Sequence, residues 1–226
     1  MNLTLVTPPA AEPVTLAEAK LHARINLTDD DDLVSALIVA ARRYCEAFTR
    51  RQFVTATWNM VLDTFPSRTF PTGMFQTGTF PTGSYPIGTF PGGTFPLGAL
   101  YNWAITLPLP PVQAVNSITY LDSAGDLQTL APSQYVVDVT GEPARLTPQY
   151  GFVWPITRWQ VGSVTVQFTA GYGTAADVPE TVKAAIKLLV AHWYEHREAV
   201  SDKTMASVPL AVESLLLAEA WGSYPL

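Results

Sequence analysis

His192, Trp193, Tyr194, Glu195 and His196 spell H-x-x-E-H, the zinc-binding and general-base pattern of one class of metallopeptidase. On a helix the two histidines lie one turn apart on one face, so both could reach a metal ion. A third protein ligand is needed, and downstream only Glu198, Glu213 and Glu219 are available. Histidines in the last turns of a helix also suit the negative end of its dipole without any metal. The acidic run Asp29 to Asp32 lacks the glycine at the sixth position and the glutamate at the twelfth that a calcium loop requires. It reads instead as carboxylates set against the positive end of a helix. There is no G-x-S-x-G, no glycine-rich phosphate loop with a lysine and no C-x-x-C pair. Gly171-Tyr172-Gly173 lacks the third glycine of a dinucleotide fingerprint and reads as a tight exit turn. The single cysteine, Cys45, allows no intrachain disulfide and reads as a small buried apolar residue. The expectation is therefore no catalytic residue, no metal and no cofactor, with a zinc hydrolase on the H-x-x-E-H helix as the alternative.

The elements that would carry these residues follow from periodicity. Asp177 and Glu180, with Pro179 between them, resemble a capping box, and a helix should begin near Pro179. Val182, Ala185, Ile186, Leu189 and Trp193 then form one stripe at steps of three and four. Its natural mate is a second helix from Leu33, with a stripe of Leu33, Leu37, Ala40, Ala41, Tyr44 and Phe48, and with Arg42, Arg43, Arg50 and Arg51 placed to suit the dipole at its far end. Thr15 and Glu18 form a Thr-x-x-Glu box that should start a short helix over 16–24. The period changes to two at Phe53, where Ala56, Trp58, Met60 and Leu62 alternate with their neighbours. Strands are expected again at 104–107, 114–121, 127–130, 135–139 and 163–169, with a hairpin turn at Asp122 to Gly125 and with Gly141, Pro143, Pro148 and Pro155 confining the rest to edges or loops. A last short helix runs from Leu210 and stops near Trp221-Gly222.

Residues 69–98 are six consecutive pentapeptides, TFPTG, MFQTG, TFPTG, SYPIG, TFPGG and TFPLG, preceded by a degenerate copy from Thr64 to Arg68. Each unit suits a β-turn, and no unit carries a charge. A solvated linker is normally charged and poor in aromatics, so the rings of Phe70, Phe75, Phe80, Tyr85, Phe90 and Phe95 are expected to be covered by a partner. A low-complexity spacer and a repeat-based adhesion module are the other readings. The fold class is α+β: a helical core built from the N- and C-terminal segments (1–52 and 171–226), an inserted antiparallel β unit (53–170), and a Phe-Pro-Gly pentapeptide-repeat arm.

A hydrophobic content of 48% provides for a folded core, and a formal net charge of -6 opposes tight binding of a nucleic-acid backbone. No stretch approaches the ~18 apolar residues of a membrane span, and the opening residues lack the basic and apolar regions of a signal peptide.

Two blocks, PVTLAEAKLHARINLTDDDDLVSALIVAARRYCEAFTRRQ and FTAGYGTAADVPETVKAAIKLLVAHWYEHREAV, together with LPLPPVQAVNSITYLDSAGDLQTL between them, resemble the head–tail connector (head-completion or adaptor) proteins of long-tailed bacteriophages and related prophage elements. The resemblance implies a non-enzymatic virion protein assembled in the host cytoplasm. It implies a ring of about twelve copies beneath the portal. That ring would extend the DNA channel without gripping the DNA, and would bind the portal and the next head-completion or tail protein. It places the C-terminal segment, with Leu210, Leu216, Trp221 and Tyr224, against the portal. The pentapeptide repeat departs from the family's pattern.

Overall fold

A computed structural model describes residues 1–66, 104–196 and 210–221, apart from the side chain of Leu210. The pentapeptide segment, with Phe70, Phe75, Phe80, Tyr85, Phe90 and Phe95, and Tyr224 near the C-terminus lie outside the described residues. In chain order the elements are β1 (Asn2–Thr7), α1 (Leu16–Ala23), α2 (Asp31–Thr49), β2 (Ala56–Leu62), β3 (Ile105–Thr106), β4 (Val112–Leu121), β5 (Leu127–Thr129), β6 (Tyr135–Asp138), β7 (Arg145–Pro148), β8 (Val164–Ala170), α3 (Glu180–Glu195) and α4 (Leu210–Leu217).

The strands form two antiparallel sheets, one of order β1-β2-β8-β4-β5 and one of order β3-β7-β6. Met60, Ile118, Val164, Val166 and Phe168 from the first sheet and Ile105, Tyr135 and Leu146 from the second are buried in one shared core. The alternation expected of a sheet with one covered face is clearest in β8, where Val164, Val166, Phe168 and Ala170 are buried and the residues between them are half-exposed. β1 was not expected. It pairs with β2, so the first strand of the chain joins the sheet ahead of the helices.

The helices share a separate core. α1 starts at the expected capping box: Glu18 N donates to Thr15 Oγ1 (3.2 Å), and Thr15 N donates to the Glu18 carboxylate (2.7 Å). It stops at Arg24, whose φ of 56° is left-handed. α3 buries Val182, Ala185, Ile186 and Leu189 as the spacing predicts, with Trp193 edge-on to Tyr44 at 6.2 Å. Its start differs from expectation. Asp177 closes its box with Thr174 around a single 3-10 turn, and the N-cap of α3 is Pro179, which has no side-chain cap.

α2 packs against α3, but with its face turned by one residue. Val34, Ile38, Ala41 and Cys45 are buried, whereas Leu33 and Ala40 are exposed and Leu37, Tyr44 and Phe48 form the flank. Two overlapping apolar stripes run along this helix, and periodicity does not separate them. Its arginines also depart from the dipole reading. Arg50 is the left-handed C-cap, and Arg51 donates to the carbonyl of Glu219 (2.6 Å) and to both carboxylate oxygens of Glu142 (2.8 and 2.6 Å).

Arg42 is buried at the centre of a polar chain that ties the layers together. Its guanidinium donates to Glu12 (2.7 and 3.3 Å) and to Glu46 (2.7 Å). Glu46 accepts from Gln52 Nε2 (2.7 Å) and Phe53 N (3.3 Å), and Gln52 Oε1 accepts from the indole N–H of Trp58 in β2 (3.1 Å). Burial pushes the Glu46 carboxyl up, against the downward pull of Arg42. Beside it, burial pushes the Cys45 thiol up to about 12.

Candidate docking surface

The H-x-x-E-H residues do not assemble a metal centre. The rings of His192 and His196 lie against each other at 4.6 Å, His196 Nδ1 sits 2.9 Å from the His192 carbonyl, and Glu195 is exposed. Among the described residues no three His, Cys, Asp or Glu side chains converge on a point that could hold a metal ion. Nor is any helix among them long and apolar enough to cross a membrane.

The surface that stands out is built by the link between β7 and β8. Large apolar side chains there face solvent: Trp159 is 100% exposed, Tyr150 97%, Val161 86% and Ile156 81%. Apolar groups so concentrated on one loop mark an interaction site more often than a solvated turn. The loop is held in place despite its exposure. Arg158 N donates to the Leu121 carbonyl (3.0 Å) at the end of β4, and Gly162 N donates to Asp63 Oδ1 (3.0 Å) just past β2. The Ser163 hydroxyl bonds the carbonyls of Arg158 and Gln160 (2.8 and 3.0 Å).

Between this loop and the end of β2 runs a groove of about 820 Å³, lined by Phe65, Pro66, Pro148, Trp154, Ile156 and Trp159 among others. Phe65 is buried at its root. Its ring stacks parallel on Trp154 (4.9 Å, 4°) and meets Tyr120 edge-on (5.7 Å). Phe65-Pro66 belongs to the degenerate copy of the pentapeptide, so one aromatic–proline pair of the repeat type is seen seated. Pro148 and Pro155 mark this link as edge or loop in the sequence, but nothing in the spacing singles it out, because apolar residues without a period give no signal for which face is wet.

The C-terminal segment is fastened to the helical layer. Trp221 N donates to the Thr49 carbonyl at the end of α2 (2.9 Å), and Thr181 Oγ1 donates to the Glu219 carboxylate (2.8 Å). Leu216, expected at a partner surface, is instead fully buried with Val212 in the helical core; the outward face of α4 carries Leu217. Trp221 is half-exposed at the point where the described chain ends.

Residues 13–76 match the model of a family described as phage gp6-like head–tail connector proteins. A comparison with curated proteins finds no match. Among solved structures, a chain in the virion of a native gene transfer agent particle matches at a TM-score of 0.68, one in the neck of an empty particle of that kind, with C6 symmetry, at 0.66, and one in the neck of the native particle, with C12 symmetry, at 0.61. Each is 21% identical, with 97% of this chain and 95% of the other covered. The shared fold thus extends over nearly the whole chain, while the family match rests on the part that holds α1, α2 and β2. The family model covers less than a third of the chain, and the likeness to the solved structures is a likeness of fold.

Proposed function

We propose, from the head–tail connector match over residues 13–76, that the chain is a subunit of a ring of about twelve copies at the joint between a phage-like head and its tail. The observation that carries this reading is that both ends of the chain, brought together as α1 to α4, adopt with the sheets a fold shared over 97% of the length with chains in a particle neck. In this reading the ring sits under the portal, extends the DNA channel and presents a surface to the next head-completion or tail protein. The net charge of -6 suits a channel through which DNA passes without being held. The C-terminal segment, with Leu210, Trp221 and Tyr224, faces the portal; the clasp between Trp221 and the end of α2 supports this by fixing where that segment leaves the helical layer. Phe70, Phe75, Phe80, Tyr85, Phe90 and Phe95 anchor the pentapeptide arm on a neighbouring protein surface.

Electron microscopy of the parent particle tests the reading directly. Density for this chain at the joint, and full heads without tails when the chain is absent, are the expected results. Complete tailed particles in its absence would refute it.

A further inference from the structure

The groove beside the 150–161 loop has the chemistry of a proline-recognition site, with aromatic and proline side chains on its walls and apolar tips left in water. Such grooves take extended aromatic–proline segments, which lose little entropy on binding. The chain carries segments of this type at 69–98, and one related pair is already in place, with Phe65 between Trp154 and Tyr120 and Pro66 on the groove wall. The segment leaves the described fold at Pro66, inside the groove. It returns at Ala104, next to β3, whose partner strand β7 ends at Pro148 on the same groove. Both ends are therefore tethered at the site, which makes the local concentration of Phe-Pro units very high.

We propose that this groove is the rooting site of the chain's own pentapeptide arm: Phe70-Pro71 seats against Trp159 and Ile156 in continuation of the Phe65-Pro66 contact, and the later units extend outward. The inference rests on reading 69–98 as a docking arm and adds where that arm begins. Trp159 supplies a flat face for the proline ring and Ile156 an apolar wall for Phe70, and the uncharged units suit a groove whose walls are mainly apolar, with Asp63 and Arg158 as its charged lining residues. Rooting in the same chain gives the arm a direction before any partner is met.

The test uses the full chain with a photo-reactive benzoylphenylalanine in place of Phe70. Irradiation followed by mass spectrometry of a mixture of isotopically light and heavy chains is expected to give crosslinks to 150–161 within one chain. Trp159→Ala should lower their yield about tenfold. Trp159 is fully exposed apart from the proposed contact with the arm, so that variant should keep the parent melting temperature, and Ile156→Ala provides a second, independent probe of the same wall. Crosslinks confined to other regions, crosslinks between chains only, or a yield indifferent to both substitutions would overturn the proposal. Deleting 69–98 and scoring particle assembly addresses the arm itself: same-chain crosslinks with assembly unaffected by the deletion would leave the rooting site standing and remove the arm's role in the joint.

Discussion

The hydroxyl of Tyr194 donates to the carboxylate of Asp30 at 2.5 Å, joining the last turn of α3 to the N-cap of α2 across 164 residues. It is a contact between the two terminal blocks of the chain, made where α2 has no side-chain cap of its own. Tyr194→Phe keeps the ring and removes the donor. It should cost about 1–2 kcal/mol, read as a lower urea midpoint with an unchanged slope.

The Arg42 network predicts a pH effect with a definite sign. Glu46 already has a raised folded pKa because it is buried, and Arg42 is the principal influence holding it down. Arg42→Ala removes that influence and leaves a buried carboxylate, which should cost about 3–5 kcal/mol at neutral pH. A group with a raised folded pKa contributes stability that is present below its unfolded value of 4.5 and lost as pH rises through the folded value. The variant should therefore be closest to the parent near pH 4 and fall further behind as pH increases, as measured by denaturation across that range.

Asp138 gives the opposite slope. Hydrogen bonds from Thr140 and then the ion pair with Arg145 lower its carboxyl from 3.8 to about 2. Stability from this group is present above 3.8 and disappears as pH falls through about 2. A carbon-detected NMR titration should place its midpoint well below that of an ordinary aspartate, and Thr140→Ala should bring it back upward.

The helical and sheet assignments were legible because their apolar residues recur at one period. The stripe from Val182 to Trp193 is an example, and so is the alternation through β8. Where two periods fit equally well, as with Leu33 and Val34 in α2, the packing of α1, α3 and α4 decides the buried face, and that information is not local. β1 escaped notice because nearly all its residues are exposed, so no face is marked by hydrophobicity. The exposed apolar loop between β7 and β8 was hidden for a related reason: Trp159 and Ile156 have the composition of a core, and only the fold shows that they face solvent. The arginines of α2 read as dipole partners because Glu12, Glu142 and Glu219, which receive Arg42 and Arg51, lie far away in sequence.

Gly171 supports the junction between the two layers. Its φ is +130°, and a Cβ would lie 2.6 Å from Thr55 N and 2.7 Å from the Val54 carbonyl carbon, both rigid backbone atoms. The close approach lets Tyr172 N donate to the Phe53 carbonyl and Thr55 N to the Gly173 carbonyl, which hold the exit of β8 against the entry to β2. Gly171→Ala should therefore destabilise the protein by about 3 kcal/mol, far more than alanine at an exposed glycine such as Gly151, where a Cβ meets nothing within 4 Å although φ is also positive. Comparing the thermal midpoints of the two variants separates the steric contribution from the conformational one: equal losses would mean that φ strain dominates, and a large excess at Gly171 would locate the cost in the backbone contact with Val54 and Thr55.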